Sequence, residues 1–130
     1  MSKYVLDSFA LLAFFQQERG WERVRELIKC AEDGRVELYM SVINMAEVKY
    51  MLARRGKNNP QVMAAIEALP INIASADEHI DQVITLKAMH AVSLADCFGV
   101  AVAIGLNCPI ITADPEFEKL ESVVQVEWLR

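Results

Sequence analysis

Five short apolar runs alternate with helically spaced stretches, and this narrows what the chain of 130 residues can fold into. The runs are Lys3 to Leu6, Val36 to Met40, Ile71 to Ile73, Ile110 to Thr112 and Val123 to Glu127. They carry little period-two alternation, as expected of strands buried on both faces. Strands that alternate with helices imply a mostly parallel sheet covered by helices on both sides. The length fits one domain, residues 1–130, around one core.

The punctuation between the runs places the helices. Ser8 to Gln17 is rich in Leu and Phe, and Gly20 breaks it. From Trp21, the positions Val24, Leu27, Ile28 and Ala31 keep helical spacing until Asp33-Gly34. Ser41 offers an N-cap for a helix through Arg55, which Gly56 stops. Asn59-Pro60 opens the next, with Pro60 at the first helical position. Ser75-x-x-Glu78 reads as a capping box for a helix through Met89. Ser93 caps a helix that ends near Gly105. A short helix is expected from Pro115 to Leu120.

Four acids fall on this frame at informative places. Asp7 and Asp114 each end a strand-like run. Glu47 and Asp96 sit inside apolar helical runs, with no base at the spacing that would pair them. Each has an ordinary explanation taken singly. Asp7 and Asp96 suit helix starts, Asp114-Pro115 suits a turn, and Glu47 suits a surface. Together they can stand at one edge of one sheet. In open parallel sheets that edge, beyond the carboxyl ends of the strands, is where ligands bind. Carboxylates among apolar neighbours are costly unless paired or metal-bound. An all-oxygen set selects hard cations such as Mg²⁺ or Mn²⁺.

Composition closes off other classes. With 54% hydrophobic and 24% charged residues, the chain is a globular protein. Its longest apolar run, Cys97 to Leu106, is shorter than the roughly 20 residues a bilayer requires. An acid at Asp7 interrupts any signal-peptide pattern, so a cytoplasmic location is expected. Three cysteines without Cys-x-x-Cys spacing argue against disulfides or zinc and read as small buried side chains. His79 and His90 read as helix-surface residues. The net charge of −5 offers no general attraction for nucleic acid. Arg54, Arg55 and Lys57 are the local basic group at a helix end, available to phosphates or to a partner's carboxylates. Arg23, Arg25 and Lys29 read as a solvated face.

Four segments together resemble the PIN-domain nucleases, in particular small single-domain toxins of the VapC type. They are Tyr4-Val5-Leu6-Asp7-Ser8-Phe9-Ala10-Leu11-Leu12-Ala13, Asn44-x-x-Glu47-Val48, Leu94-Ala95-Asp96-x-x-x-Val100-Ala101 and Ile111-Thr112-Ala113-Asp114-Pro115-Glu116-Phe117. The resemblance spans nearly the whole chain. It implies a three-layer α/β/α fold and an endoribonuclease that uses Mg²⁺ or Mn²⁺ to activate water. It also implies frequent homodimers and a cognate antitoxin. By position, Asp7, Glu47, Asp96 and Asp114 match the family's acidic catalytic and metal-binding residues. Thr112 matches an accessory hydroxyl, and Ser8 and Asn44 are accessory groups behind the acids. Two other readings remain: a metal-dependent phosphatase, for which Phe9 stands where a second acid is expected, and a catalytically silent binding module. Trp21, Phe14, Phe15, Tyr50 and Met51 are more apolar surface than one small core can take, so an exposed groove for a partner is expected along the first helices.

Overall fold

The computed structural model describes residues 1–130. The elements follow the chain as β1 (Ser2–Leu6), α1 (Ser8–Gln16), α2 (Trp21–Glu32), β2 (Val36–Ser41), α3 (Val42–Arg54), α4 (Pro60–Glu67), β3 (Ile71–Ala74), α5 (Ile80–Met89), α6 (Leu94–Leu106), β4 (Ile110–Thr112) and β5 (Val126–Trp128). Two 3₁₀ helices, Asp77–His79 and Pro115–Leu120, precede α5 and follow β4. The five strands form one wholly parallel sheet in the order β3-β2-β1-β4-β5.

Alternation along the strands sorts the core into two sides. Val5 and Ile110 pack with Val100, Ala101 and Phe117 under α5 and α6. Leu6, Leu38 and Ile111 face Val24, Leu27 and Ile28 of α2. Met40 continues that second side against Leu11, Leu12, Val48, Leu52 and Ile66 from α1, α3 and α4. The result is the expected three-layer α/β/α sandwich.

The caps explain most helix starts. Ser41 Oγ accepts from the Ile43 amide at 3.2 Å. Asn59 accepts from the Val62 amide at 2.9 Å, with Pro60 behind it. Asn59 is exposed and its side chain bonds only the Val62 amide, so Asn59→Ala is expected to lower stability by about 1 kcal/mol without affecting the acids. A chemical denaturation curve measures this; an unchanged midpoint would mean that the cap does not hold α4.

Three expectations are corrected. The Ser75–Glu78 capping box does not form, because the His79 amide bonds the Ala76 carbonyl at 3.0 Å. That makes a 3₁₀ turn, and α5 starts only at Ile80. The last strand begins at Val126, not Val123. The amides of Val123 and Val124 bond back to the Leu120 carbonyl at 3.0 and 3.1 Å, which extends a turn and drops Val124 into the core. Nor does Arg23 belong to a purely solvated face. It forks onto Glu127 at 2.8 and 3.1 Å, tying α2 to β5 over the Tyr4 ring.

The apolar residues expected to line a groove along the first helices are mostly half-buried. Phe14 and Phe15 meet edge to face and, with Met51, pack against the core. The Arg25 guanidinium covers the Trp21 ring at 4.8 Å, and only Tyr50 stands well exposed. Phe9 on α1 and Val42 at the start of α3 are exposed as well, and further exposed apolar side chains lie at Ile73, Ile80 and Ile84 on β3 and α5, and at Met89 and Leu94 flanking the loop into α6. Cys97 is buried, while Cys30 and Cys108 are half-buried and free. His79 and His90 are half-buried rather than on the open surface.

Candidate active site

The strand order reverses between β1 and β4. From β1 the chain moves outward through β2 to β3, then returns to place β4 on the other side of β1. The carboxyl ends of those two strands carry Asp7 and Asp114, so both acids stand at the switch point where such sheets bind ligands. The Asp7 amide bonds the Ile111 carbonyl at 3.2 Å, fixing the end of β1 against β4.

Asp7 is 1% exposed. Its Oδ1 accepts from the Ala10 amide at 2.8 Å, capping α1, and its Oδ2 accepts from the Thr112 hydroxyl. Thr112 in turn accepts from the Asp114 amide at 2.9 Å. One hydroxyl therefore orients two of the acids. Asp114 Oδ1 accepts from the Glu116 amide at 3.0 Å and starts the following 3₁₀ helix.

The other two acids arrive on helices. Ser41 ends β2 and caps α3, which brings Glu47 to the same edge. The Ser8 hydroxyl, at the first position of α1, donates to Glu47 Oε1. Lys49 turns away to Glu67, so it does not pair with Glu47. Asp96 lies in the first turn of α6 and is 6% exposed; its amide donates to the Ser93 capping oxygen at 3.1 Å. Asn44, one turn before Glu47, donates from Nδ2 to the Ala95 carbonyl at 3.1 Å, beside Asp96.

Electrostatic coupling links the acids through Asp96, which feels Asp114 and Glu47 and is itself felt by Asp7. Burial pushes the Asp7 carboxyl up to about 7, against the lowering hydrogen bonds from Thr112 and Ala10, with Asp96 and Asp114 adding repulsion. Burial likewise raises Asp96 to about 6, with the Ser93 hydroxyl opposing and the charges of Asp114 and Glu47 adding. None of the four takes part in an ion pair.

This donor set fits a hard divalent cation in its chemistry: carboxylate oxygens, no soft ligand and no competing base. Oε2 of Glu47 and Oδ2 of Asp114 accept no hydrogen bond. As the side chains stand, no three acidic, histidine or cysteine groups close into an ion cage. Closing one therefore requires side-chain rotation, for which the half-exposed Glu47 and Asp114 have room.

The accessory residues Thr112, Ser8 and Asn44 all touch an acid or the backbone beside one. The basic group does not join them. Arg54, Arg55 and Lys57 are exposed at the far end of α3, where Arg55 bonds Gln16 at 2.6 Å and Arg54 reaches Tyr50 at 3.5 Å. Sequence reasoning missed two lysines. Lys87 donates to the Val92 carbonyl at 2.7 Å and Lys119 to the Ala91 carbonyl at 3.1 Å. They pin the loop that leads into Ser93 and Asp96. In sequence they look like any solvated helix lysine, so no spacing signals the role.

The family profile of the PIN domain matches residues 4–123. This chain belongs to the PIN domain family. Among solved structures, it is similar to VapBC-1 from nontypeable Haemophilus influenzae, at 25% identity over 98% of each chain and a TM-score of 0.70. It is similar in fold to DNA-bound VapBC from Salmonella typhimurium, at 16% identity over 100% of each chain and a TM-score of 0.71. The same holds for VapBC2 from Rickettsia felis bound to a promoter DNA fragment, at 17% identity over 98% of this chain and 99% of that one, with a TM-score of 0.70. No protein of curated function matches the chain in sequence. No helix is long and apolar enough to cross a membrane.

Proposed function

We propose that this chain is a metal-dependent endoribonuclease and the toxin of a toxin–antitoxin pair. The observation that carries the reading is the gathering of Asp7, Glu47, Asp96 and Asp114 at the switch point with no cationic partner. Asp7, Glu47, Asp96 and Asp114 would hold Mg²⁺ or Mn²⁺. Such an ion would supply a more acidic water and a positive charge to offset the negative charge developing on the scissile phosphate. The chain's own groups prepare that site. Thr112 orients Asp7 and the Asp114 backbone, Ser8 orients Glu47, and the Ser93 cap orients Asp96.

A phosphatase using Asp7 as nucleophile is disfavoured. Phe9 stands where the second acid of such an enzyme is expected. The test is incubation of purified protein with total RNA in Mg²⁺, in Mn²⁺ and in excess chelator. Cleavage with metal and none in chelator is expected; full cleavage in chelator overturns the mechanism.

The partner belongs to the same proposal. Structures similar in fold are VapBC toxin–antitoxin complexes. The exposed Ile73, Ile80 and Ile84 support an apolar contact surface. A homodimer is expected in solution, and a small antitoxin protein should co-purify from the native host. A monomer at high concentration, with nothing recovered from the host, would count against both. A cytoplasmic location is part of this reading, and RNA is the proposed substrate.

A further inference from the structure

We infer that Asn44 is a positioning residue that locks the helix bearing Glu47 against the helix bearing Asp96, with Gly99 as the socket that admits it. The inference rests on the nuclease reading above. Asn44 is fully buried where α3 crosses α6. Its Nδ2 holds the carbonyl of Ala95, the residue before Asp96, and its own helix carries Glu47 one turn later. A shift of α3 along α6 would therefore change the spacing of two acids at once.

Two features of this contact work against stability. Asn44 Oδ1 is buried with no hydrogen-bond partner, which is unfavourable for any polar atom. Gly99 lies inside α6, where glycine is less stable than alanine. Its backbone has no positive φ to require glycine; what it supplies is space. A Cβ there would stand 2.8 Å from Asn44 Oδ1 and 3.1 Å from Ile110 Cδ1. An apolar residue facing an alanine would pack this crossing without either penalty. Retaining a polar amide in a glycine socket makes sense where one helix register must be specified. Carboxylates that share an ion must be held within roughly 0.5 Å.

The experiment compares wild type with Asn44→Ala, Gly99→Ala and the double variant. It reads melting temperature in chelator, Mn²⁺ affinity by calorimetry, and steady-state cleavage of an RNA oligonucleotide. Gly99→Ala alone is expected to melt about 5 °C lower, because its Cβ meets the amide. The double variant should recover most of that loss, because the amide is gone. Its Mn²⁺ affinity and kcat should nevertheless stay about tenfold below wild type, as should those of Asn44→Ala, since the groups that orient metal ligands carry effects of that size. KM for RNA should hardly change. A double variant with wild-type kcat and Mn²⁺ affinity would reduce the pair to packing and overturn the role of Asn44. A double variant that melts no higher than Gly99→Ala would overturn the socket. A wild type that neither binds Mn²⁺ nor cuts RNA would instead overturn the nuclease reading itself.

Discussion

Asp96→Asn is expected to remove RNA cleavage while leaving the protein folded. The loss should exceed about a hundredfold, the upper end of what removing an outer-shell partner of a metal ligand costs. Asparagine keeps the shape of the side chain and the amide that bonds the Ser93 cap, so α6 should still start where it does. What disappears is one carboxylate from a site of four that has no basic side chain paired with it. The metal-free variant should therefore melt at or above wild type, because a charge disfavoured by burial, and further repelled by Asp114 and Glu47, is gone. Added Mn²⁺ should raise the wild-type melting temperature more than that of the variant, since a ligand stabilises the state that binds it. Gel assays and thermal melts with and without metal decide this. Wild-type cleavage by the variant, or equal responses to Mn²⁺, would separate Asp96 from the site.

The second large effect is a pH dependence of stability in chelator. Asp7 has an ordinary carboxyl value of 3.8 when exposed and about 7 in the fold, chiefly through burial. Between those values the folded state holds a proton that the unfolded chain has lost. Stability then falls as pH rises through this window, because the folded state binds more protons. Below about pH 4 both states are protonated and the penalty is absent; above pH 7 it is complete. The difference corresponds to roughly 4 kcal/mol. Asp96 acts in the same direction over a narrower window ending near pH 6. Asparagine caps a helix as well as aspartate does, so Asp7→Asn should remove the penalty without unmaking α1. The stability gained by Asp7→Asn over wild type should grow from pH 5 to pH 8, measured by urea denaturation in chelator. A constant difference across that range would show that the Asp7 charge is not destabilising.

Much of the frame was legible because local chemistry and final structure agree. Ser41, Asn59 and Ser93 cap the helices they precede, as their side chains dictate in isolation. Gly34 and Gly56 take positive φ where helices end. The capping box at Ser75–Glu78 failed because the sequence pattern offers the same residues to a 3₁₀ turn, and the Ala76–His79 bond took them. The last strand was displaced because Val123 and Val124 are β-formers by composition. Only the neighbours decide that Val124 fills the core beside Phe117 and Leu120 while pairing waits for Val126.

Sequence by itself determined the alternation, hence the parallel layered class, and it determined which acids lack a local base. Those properties follow from residue types and spacings a few positions apart. Tertiary structure alone decided that the four acids stand at one sheet edge, within electrostatic reach of one another. Their convergence depends on β4 lying beside β1, a pairing between residues more than a hundred positions apart that no local pattern encodes. It also decided that Thr112 serves Asp7 and Asp114 together, that Ser8 holds Glu47, and that the empty side of Gly99 receives Asn44. A hydroxyl or a missing methyl group has no visible purpose in a sequence; it gains one from the atom that the fold brings against it.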